Sequence, residues 1–328
     1  MLRQIRTFCR SASAKQESKF NVFDRKVKLL QRTRAANDEE SLQVEYLRDE
    51  IARRTVHRLS FIKREAMNLL DFGCGSGNFV KTLLTPTEDE LMKDNIDNVR
   101  PKLKHVYMVD SCLPLLERNS FDDSFVTKIN ADEEEYSHEI LQRKDFFDCA
   151  ISNLSLHWIN NLPGTFRNIN DSLKEDGLFM GSMFATDTLF ELRTSLQLAE
   201  MERRGGISPR ISPFVDSSDL GNLLQKANFN LVTVDVEEII VNYPDVWCLM
   251  RDLQLMGENN AIANPPGPIT KDMLIALDPI YRSLHGDEKT GALPATFRIV
   301  FMIGWKKSDK QPKPLERGSG QISLKDVL

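Results

Sequence analysis

The chain has 328 residues with 43 Lys+Arg, 48 Asp+Glu and 41% hydrophobic residues, room for one elaborated domain or two small ones with a core that needs no staples. Mixed charges with 16 Gly and 14 Pro exclude disordered, fibrous and low-complexity classes, and no apolar run approaches the roughly 18 residues of a membrane span. A net charge of −5 gives no reason to expect nucleic acid as a partner, and five scattered Cys without a C-x-x-C pair argue against a disulfide framework or zinc ribbon.

Residues 1–19 carry Arg3, Arg6, Arg10, Lys15 and Lys19 against Glu17 alone, so a net +4 here leaves −9 on the rest of a −5 chain. On a helix the three arginines cluster opposite Leu2, Ile5, Phe8 and Cys9. Arg-rich, Ser-containing and acid-poor, this start reads as a mitochondrial transit peptide, the alternative being a basic tail. Residues 20–65 follow, polar with spaced apolars (Val22, Phe23, Val27, Leu29, Leu30) and then with apolars at helical spacing (Tyr46, Leu47, Ile51, Val56, Leu59), which predicts two helices packed on a domain over 66–306.

Within that domain Asn68 to Asp71 predicts a short buried strand, Asn78 to Leu84 a helix, and Val106 to Asp110 a second strand. The charged stretch between them, Thr85 to Lys104, is expected to be a surface excursion. Strands are expected at Phe125 to Ile129, Phe147 to Ser152 and Leu178 to Phe184, with a helix over Gly164 to Leu173. Residues 186–228 carry a helix from Leu189 to Arg203, a Pro-bearing loop and a helix from Asp219 to Ala227, a helical insertion on the substrate side. Leu231 to Val236, Asp245 to Met256 and Phe297 to Trp305 complete the pattern as strand, helix and strand, and 307–328 reads as a polar, mobile tail. Alternating strands and helices predict an α/β doubly wound, mostly parallel sheet.

The most informative stretch is Asp71-Phe72-Gly73-Cys74-Gly75-Ser76-Gly77, where a strand feeds an acid and then three glycines at alternate positions before a helix. Gly73, Gly75 and Gly77 let the backbone approach a ligand, and the exposed N–H groups at the helix start suit a polar or anionic one. The spacing is not the dinucleotide G-x-G-x-x-G, and Asp71 suits a ligand ammonium rather than a pyrophosphate. That points to the amino-acid end of S-adenosylmethionine. Asp110 ends the second strand, where such folds deliver an acid to ribose hydroxyls. Asp132 follows the next strand and is placed for an exocyclic adenine amine, and Asn153 follows the Asp148-bearing strand at its carboxyl end. Each has a plainer reading as a loop, cap or turn residue; their serial order along one alternation favours a cofactor site.

These segments resemble the class I S-adenosylmethionine-dependent methyltransferases, and Ser155-Leu156-His157-Trp158 resembles the loop of bacterial malonyl-carrier-protein methyltransferases. Phe23-Asp24-Arg25, Met183 to Arg193, Ser195 to Glu200, Ile211 to Phe214, Val241 to Pro244 and Met302 to Lys306 resemble a narrower group, the methyltransferase-like arginine hydroxylases that assemble mitochondrial complex I. The resemblance implies a seven-stranded class I sheet and a matrix protein peripheral to the inner membrane. It implies bound S-adenosylmethionine, and partners in the iron–sulfur subunit of complex I and early assembly intermediates. The implied reaction is hydroxylation of an arginine of that subunit near the quinone site.

For catalysis the residues leave alternatives open. His157 is a candidate base or one wall of a ring stack with Trp158. Glu191 is a candidate for holding a substrate guanidinium, or a solvated helix charge. Tyr243 and Trp247 wall the same cleft or belong to the core. His285-Gly286-Asp287 has the look of two metal ligands in a turn, with no second His nearby to complete an iron triad. Methyl transfer to a carboxyl or protein nitrogen, and non-catalytic binding of the cofactor, stand beside hydroxylation as readings.

Overall fold

The computed structural model describes residues 21–65, 67–312 and 318. The expected transit peptide and nearly all of the expected tail beyond 312 lie outside the described residues. Seven strands form one sheet: β1 (Asn68–Phe72), β2 (His105–Asp110), β3 (Val126–Asn130), β4 (Phe147–Asn153), β5 (Leu173–Phe184), β6 (Phe229–Tyr243) and β7 (Leu293–Lys306). Their order is β3-β2-β1-β4-β5-β7-β6, with β7 antiparallel to both neighbours and the other pairings parallel. The helices are α1 (Arg25–Ala36), α2 (Tyr46–Ser60), α3 (Asn78–Leu84), α4 (Glu90–Val99), α5 (Leu113–Leu116), α6 (Leu162–Ser172), α7 (Phe190–Arg204), α8 (Ser217–Lys226), α9 (Val246–Leu255) and α10 (Lys271–His285). This is the expected mostly parallel α/β sheet with helices on both faces. Among the described residues no helix is long and apolar enough to cross a membrane.

Strand β1 shows why the sheet is buried on both sides. Leu70 and Phe72 point into a cluster with Phe147, Phe166 and Phe179, closed by Leu220 and Leu224 of α8. Leu69, one position away and so on the opposite face, joins Val56 of α2, Val80 of α3 and Met108. A third cluster unites α7, α9 and α10 over β7 through Leu192, Leu196, Leu253, Leu277, Tyr281 and Phe297.

Three expectations change. Thr85 to Lys104 is not a surface excursion: Asp89 caps α4 by accepting from Met92 N, and Met92, Val99 and Leu103 bury against α2 and the sheet. Its charges sit on the outer face of an amphipathic helix, whose apolar stripe recurs at spacings of three and four. Strand β6 runs on to Tyr243 along its ladder with β7: Val232, Val234 and Val236 pack on one face of the sheet, and past Glu237 the packed side passes to Ile239, Val241 and Tyr243 on the other. Helix α10 was absent from the expected elements; Thr270 caps it and Met273, Ala276, Leu277 and Tyr281 form its buried stripe, while Pro279 sits within it.

The first pair of parallel strands to diverge in connection, β1 and β4, lie side by side, and their carboxyl ends open a crevice at this switch point. Helices α1 and α2 lie over it.

Candidate functional site

The loop after β1 is pinned to β2 by Gly73 N and Cys74 N, both donating to Val109 O at 2.8 and 3.1 Å. Gly73 has φ +71°, and a Cβ there would stand 2.1 Å from Ser155 Oγ, so only glycine fits between the β1 and β4 loops. Gly75, at φ +60°, donates its N–H to Asp110 Oδ2 at 2.8 Å, and its missing Cβ would face Arg48 Nη1 at 3.5 Å. From α2, Glu45 and Asp49 accept from Ser76 Oγ and Asn78 Nδ2 and tie the loop down from the other side.

Asp71 is buried at the head of this loop, and its Oδ2 has no hydrogen-bond partner among the described residues. Burial, helped by the nearby Asp110 carboxylate, pushes its carboxyl up to about 8. Leaving such a group unpaired costs free energy that a ligand cation would recover. Asp71, Arg48, Cys74, Asn78 and Asn153 line a cavity of about 10 Å³, room for one water. An acid, a guanidinium and a glycine backbone thus meet at the head of the crevice, offering a ligand an ammonium acceptor, a carboxylate donor and close approach. Asn153 holds its place through Oδ1, which accepts from Thr55 and Ser182 hydroxyls at 2.9 and 3.1 Å.

Asp110 is fully buried and already heavily engaged. It accepts from Gly75 N, from Cys112 N at 2.7 Å and from Arg32 Nη2 at 2.7 Å. Burial alone would raise its carboxyl; Arg32 and these bonds outweigh that and hold it below the usual carboxylate range. One turn apart in pairs along α1, Arg25, Lys28 and Arg32 face the crevice. Arg25 Nη2 donates to Asp132 Oδ1 at 3.1 Å and Glu133 Oε2 at 2.5 Å. Asp132 also caps its own loop by accepting from Glu134 N at 2.7 Å. Glu133, with no exposed surface, has its carboxyl raised by burial and by Asp110, against the pull of Arg25 and Arg32. Any ligand reaching these acids would therefore share them with two arginines of α1.

His157 lies in the loop after β4, beside the end of β5. Its ring is buried against Phe184 (centroids 4.6 Å apart), Trp158 (5.3 Å) and Phe214 (6.0 Å). Nε2 is 3.2 Å from Glu258 Oε2, which also accepts from Trp158 Nε1 at 2.8 Å, while Glu258 Oε1 accepts from Arg48 at 2.8 Å. Burial lowers His157 despite the carboxylate, and His157, Arg48 and Lys28 keep Glu258 ionised against the cost of its own burial. An ionised carboxylate only accepts, so Nε2 carries the proton and Nδ1, which has no partner among the described residues, keeps its lone pair. The histidine is both a wall of a ring stack and an acceptor without a donor.

Glu191 corrects its expectation on both counts. It is 2% exposed, neither solvated nor free for a guanidinium, because its two oxygens accept from Thr296 Oγ1 at 2.5 Å and Thr296 N at 3.2 Å. It fastens α7 to β7. Tyr243 belongs to the core, its hydroxyl 2.5 Å from that of Tyr46, and Trp247 stands half exposed on α9. His285 ends α10 and shares a hydrogen bond with Thr194 Oγ1 at 2.8 Å, while Asp287 accepts from Lys289 N and Thr290 Oγ1 in the following turn. Among the described residues no three His, Cys, Asp or Glu side chains are arranged to hold a metal ion.

Sequence reasoning missed Arg48, Arg32, Glu133 and Glu258. The cations carried a signal: Arg25, Lys28 and Arg32 recur at one helical face, an odd stripe for a helix expected to pack on a core. Glu258 sits in an irregular segment after α9 and carried none.

A glycine loop between an orphaned acid and a second acid, at the switch point of a 3-2-1-4-5-7-6 sheet, defines a methyltransferase-type domain, and the methyltransferase domain family matches residues 44–234. A putative methyltransferase from Bacillus halodurans shares the fold at TM-score 0.50 and 14% identity, covering 78% of this chain and 99% of that one. The chain belongs to the mitochondrial arginine-hydroxylase NDUFAF5 family. It is 40% identical to the Danio rerio member over 99% of this chain and 95% of the relative, and 40% identical to the Homo sapiens member over 94% and 83%. A Methylovorus malonyl-[acyl-carrier protein] O-methyltransferase is 27% identical over 82% of this chain and 85% of its own length.

Proposed function

We propose that this chain is a mitochondrial protein arginine hydroxylase that binds S-adenosylmethionine in the β1–β4 crevice. It acts in the matrix, peripheral to the inner membrane, on an arginine of the iron–sulfur subunit of complex I near the quinone site, during early assembly. The observation that carries this reading is identity of about 40% over nearly the full chain with proteins named mitochondrial arginine hydroxylases. For the cofactor, the support is the unpaired buried Asp71 beside Arg48 and the glycine loop.

In this reading Asp71 accepts from the cofactor ammonium and Arg48 holds its carboxylate. When bound, S-adenosylmethionine brings a sulfonium cation with a transferable methyl to the crevice. Phe184, Phe214 and Trp158 pack round the His157 ring and seal it from water on the substrate side. Glu258 fixes the ring through Nε2, which leaves Nδ1 as its acceptor.

Mass spectrometry of the iron–sulfur subunit from mitochondria lacking this chain tests the reading. Loss of about 16 Da from one arginine, restored by the wild-type gene, is expected. Loss of about 14 Da instead would make it a methyltransferase, and an unchanged subunit would overturn the enzymatic assignment.

A further inference from the structure

Helix α9 ends in a turn that carries one buried acid into the crevice. Gly257 takes the left-handed conformation (φ +72°), its N–H donates to Gln254 O at 3.0 Å, and Glu258 N donates to Leu253 O at 2.9 Å. This pair of bonds is a glycine stop of the helix and fixes the backbone of Glu258 as it leaves α9. Lys28 Nζ of α1 donates to Gly257 O and Asn259 O at 2.9 and 2.6 Å, so the main chain is held on both sides of Glu258. Its side chain starts from a fixed point.

The two oxygens go to different parts of the site. Oε2 accepts from His157 Nε2 and Trp158 Nε1 in the loop after β4, and Oε1 accepts from Arg48 Nη2 of α2 at 2.8 Å. Arg48 has acids close to it in the chain, but they are taken. Glu45 accepts from Ser76, Asn78 and Arg118, and Asp49 from Asn78 and Lys81. Among the described residues Glu258 is the one acid paired with Arg48. With Nη2 held there, Nη1 is turned to the glycine loop, 3.5 Å from where a Cβ of Gly75 would stand, and the Arg48 side chain keeps 16% of its surface exposed. Arg48 and Asp71 line the same small cavity, yet Asp71 Oδ2 has no partner among the described residues. A guanidinium left free beside an unpaired carboxylate pairs with it, and neither group is then available to a ligand.

We propose that Glu258 is a positioning residue for the amino-acid end of the cofactor: it draws Arg48 toward the loop after β4 and keeps the guanidinium off Asp71, so that one meets a ligand carboxylate and the other a ligand ammonium. The role rests on the cofactor reading of the crevice and gives a reason for a buried acid 210 positions from Arg48. Because the same carboxylate holds His157 and Trp158, the cofactor end and the aromatic wall share one anchor.

Calorimetry on the full chain tests this with two probes: S-adenosylhomocysteine, which has the amino-acid end, and 5′-methylthioadenosine, which lacks it. Glu258→Gln, of the same shape but neutral, is expected to bind S-adenosylhomocysteine roughly 10- to 100-fold more weakly and 5′-methylthioadenosine within about twofold of wild type. Arg48→Met should show the same split. Adding Glu258→Gln to it should weaken binding no further, since both substitutions remove one interaction. If Glu258→Gln fails to fold, Glu258→Asp, which keeps the charge but is too short to span Arg48 and the His157–Trp158 pair, is expected to give the split. Equal weakening of both probes, unchanged S-adenosylhomocysteine affinity, or additive losses in the double variant overturns the positioning role and leaves the cofactor reading in place. A wild-type chain that binds neither probe overturns the cofactor reading, and the proposal with it.

Discussion

Asp71 and Asp110 end neighbouring strands and are equally buried, yet their surroundings drive their carboxyls in opposite directions. Asp110 has Arg32 and two backbone N–H groups; Asp71 has burial and a like charge, and is pushed up to about 8. A carboxyl near 8 folded and near 4 unfolded binds more protons in the native state across that window, so its contribution to ligand-free stability falls as pH rises from about 4 to about 8. An ammonium docking on it favours the ionised form. Cofactor binding near pH 7 should therefore release a proton, visible as a dependence of the calorimetric heat on buffer ionisation enthalpy. Between pH 6 and 7.5 affinity should rise by up to about tenfold per unit. Asp71→Asn should lose the proton release and at least about tenfold in affinity; a variant that keeps both would remove Asp71 from the site. At this scale the sequence was readable where a residue's partner is a near neighbour in the chain. Gly73 to Gly77 and Asp71 make one local turn, whereas Arg32 meets Asp110 across 78 positions and Glu191 meets Thr296 across 105, and nothing in the residue types announces either pair.

Elements were legible in proportion to how cleanly their period showed. Helix α3 lies where the apolar spacing put it, and β1 and β4 differ by one residue at an end. Helix α4 was obscured by composition: charges dominate Thr85 to Lys104, but they decorate one face of a stripe through Met92, Val99 and Leu103. Pro279 hid α10 in the same way, since an internal proline ordinarily argues for a break. The α4 assignment can be weighed with two adjacent substitutions. Met92 is 4% exposed and Leu91 63% exposed. Met92→Ala should destabilise by about 2–4 kcal/mol in urea unfolding, and Leu91→Ala should stay within about 0.5 kcal/mol. Equal small effects would return the segment to the surface.

Across the whole molecule, the crevice is closed by segments from both halves of the sequence. Val22 O accepts from Ala263 N at 2.8 Å, Asp24 N donates to Ala261 O at 2.7 Å, and Phe23 meets Trp158 edge to face. Lys28 follows, its Nζ 3.4 Å from the Trp158 ring centroid and donating to Gly257 O and Asn259 O. This strap has only the small cluster of Phe23, Trp158 and Ala261 beneath its start, against three large clusters around the sheet. Its opening should therefore require less free energy than unfolding the sheet. Arg25 and Arg32 ride on the strap and hold Glu133 and Asp110, so under the proposed cofactor reading a ligand reaching those acids competes with the strap. Phe23→Ala should speed amide exchange through α1 while leaving β1 and β4 protected, and should raise the S-adenosylmethionine association rate in stopped-flow measurements. Uniform acceleration across α1 and the sheet would mean that they open as one unit. An unchanged association rate with a loosened α1 would mean that the cofactor reaches Asp71 by another route.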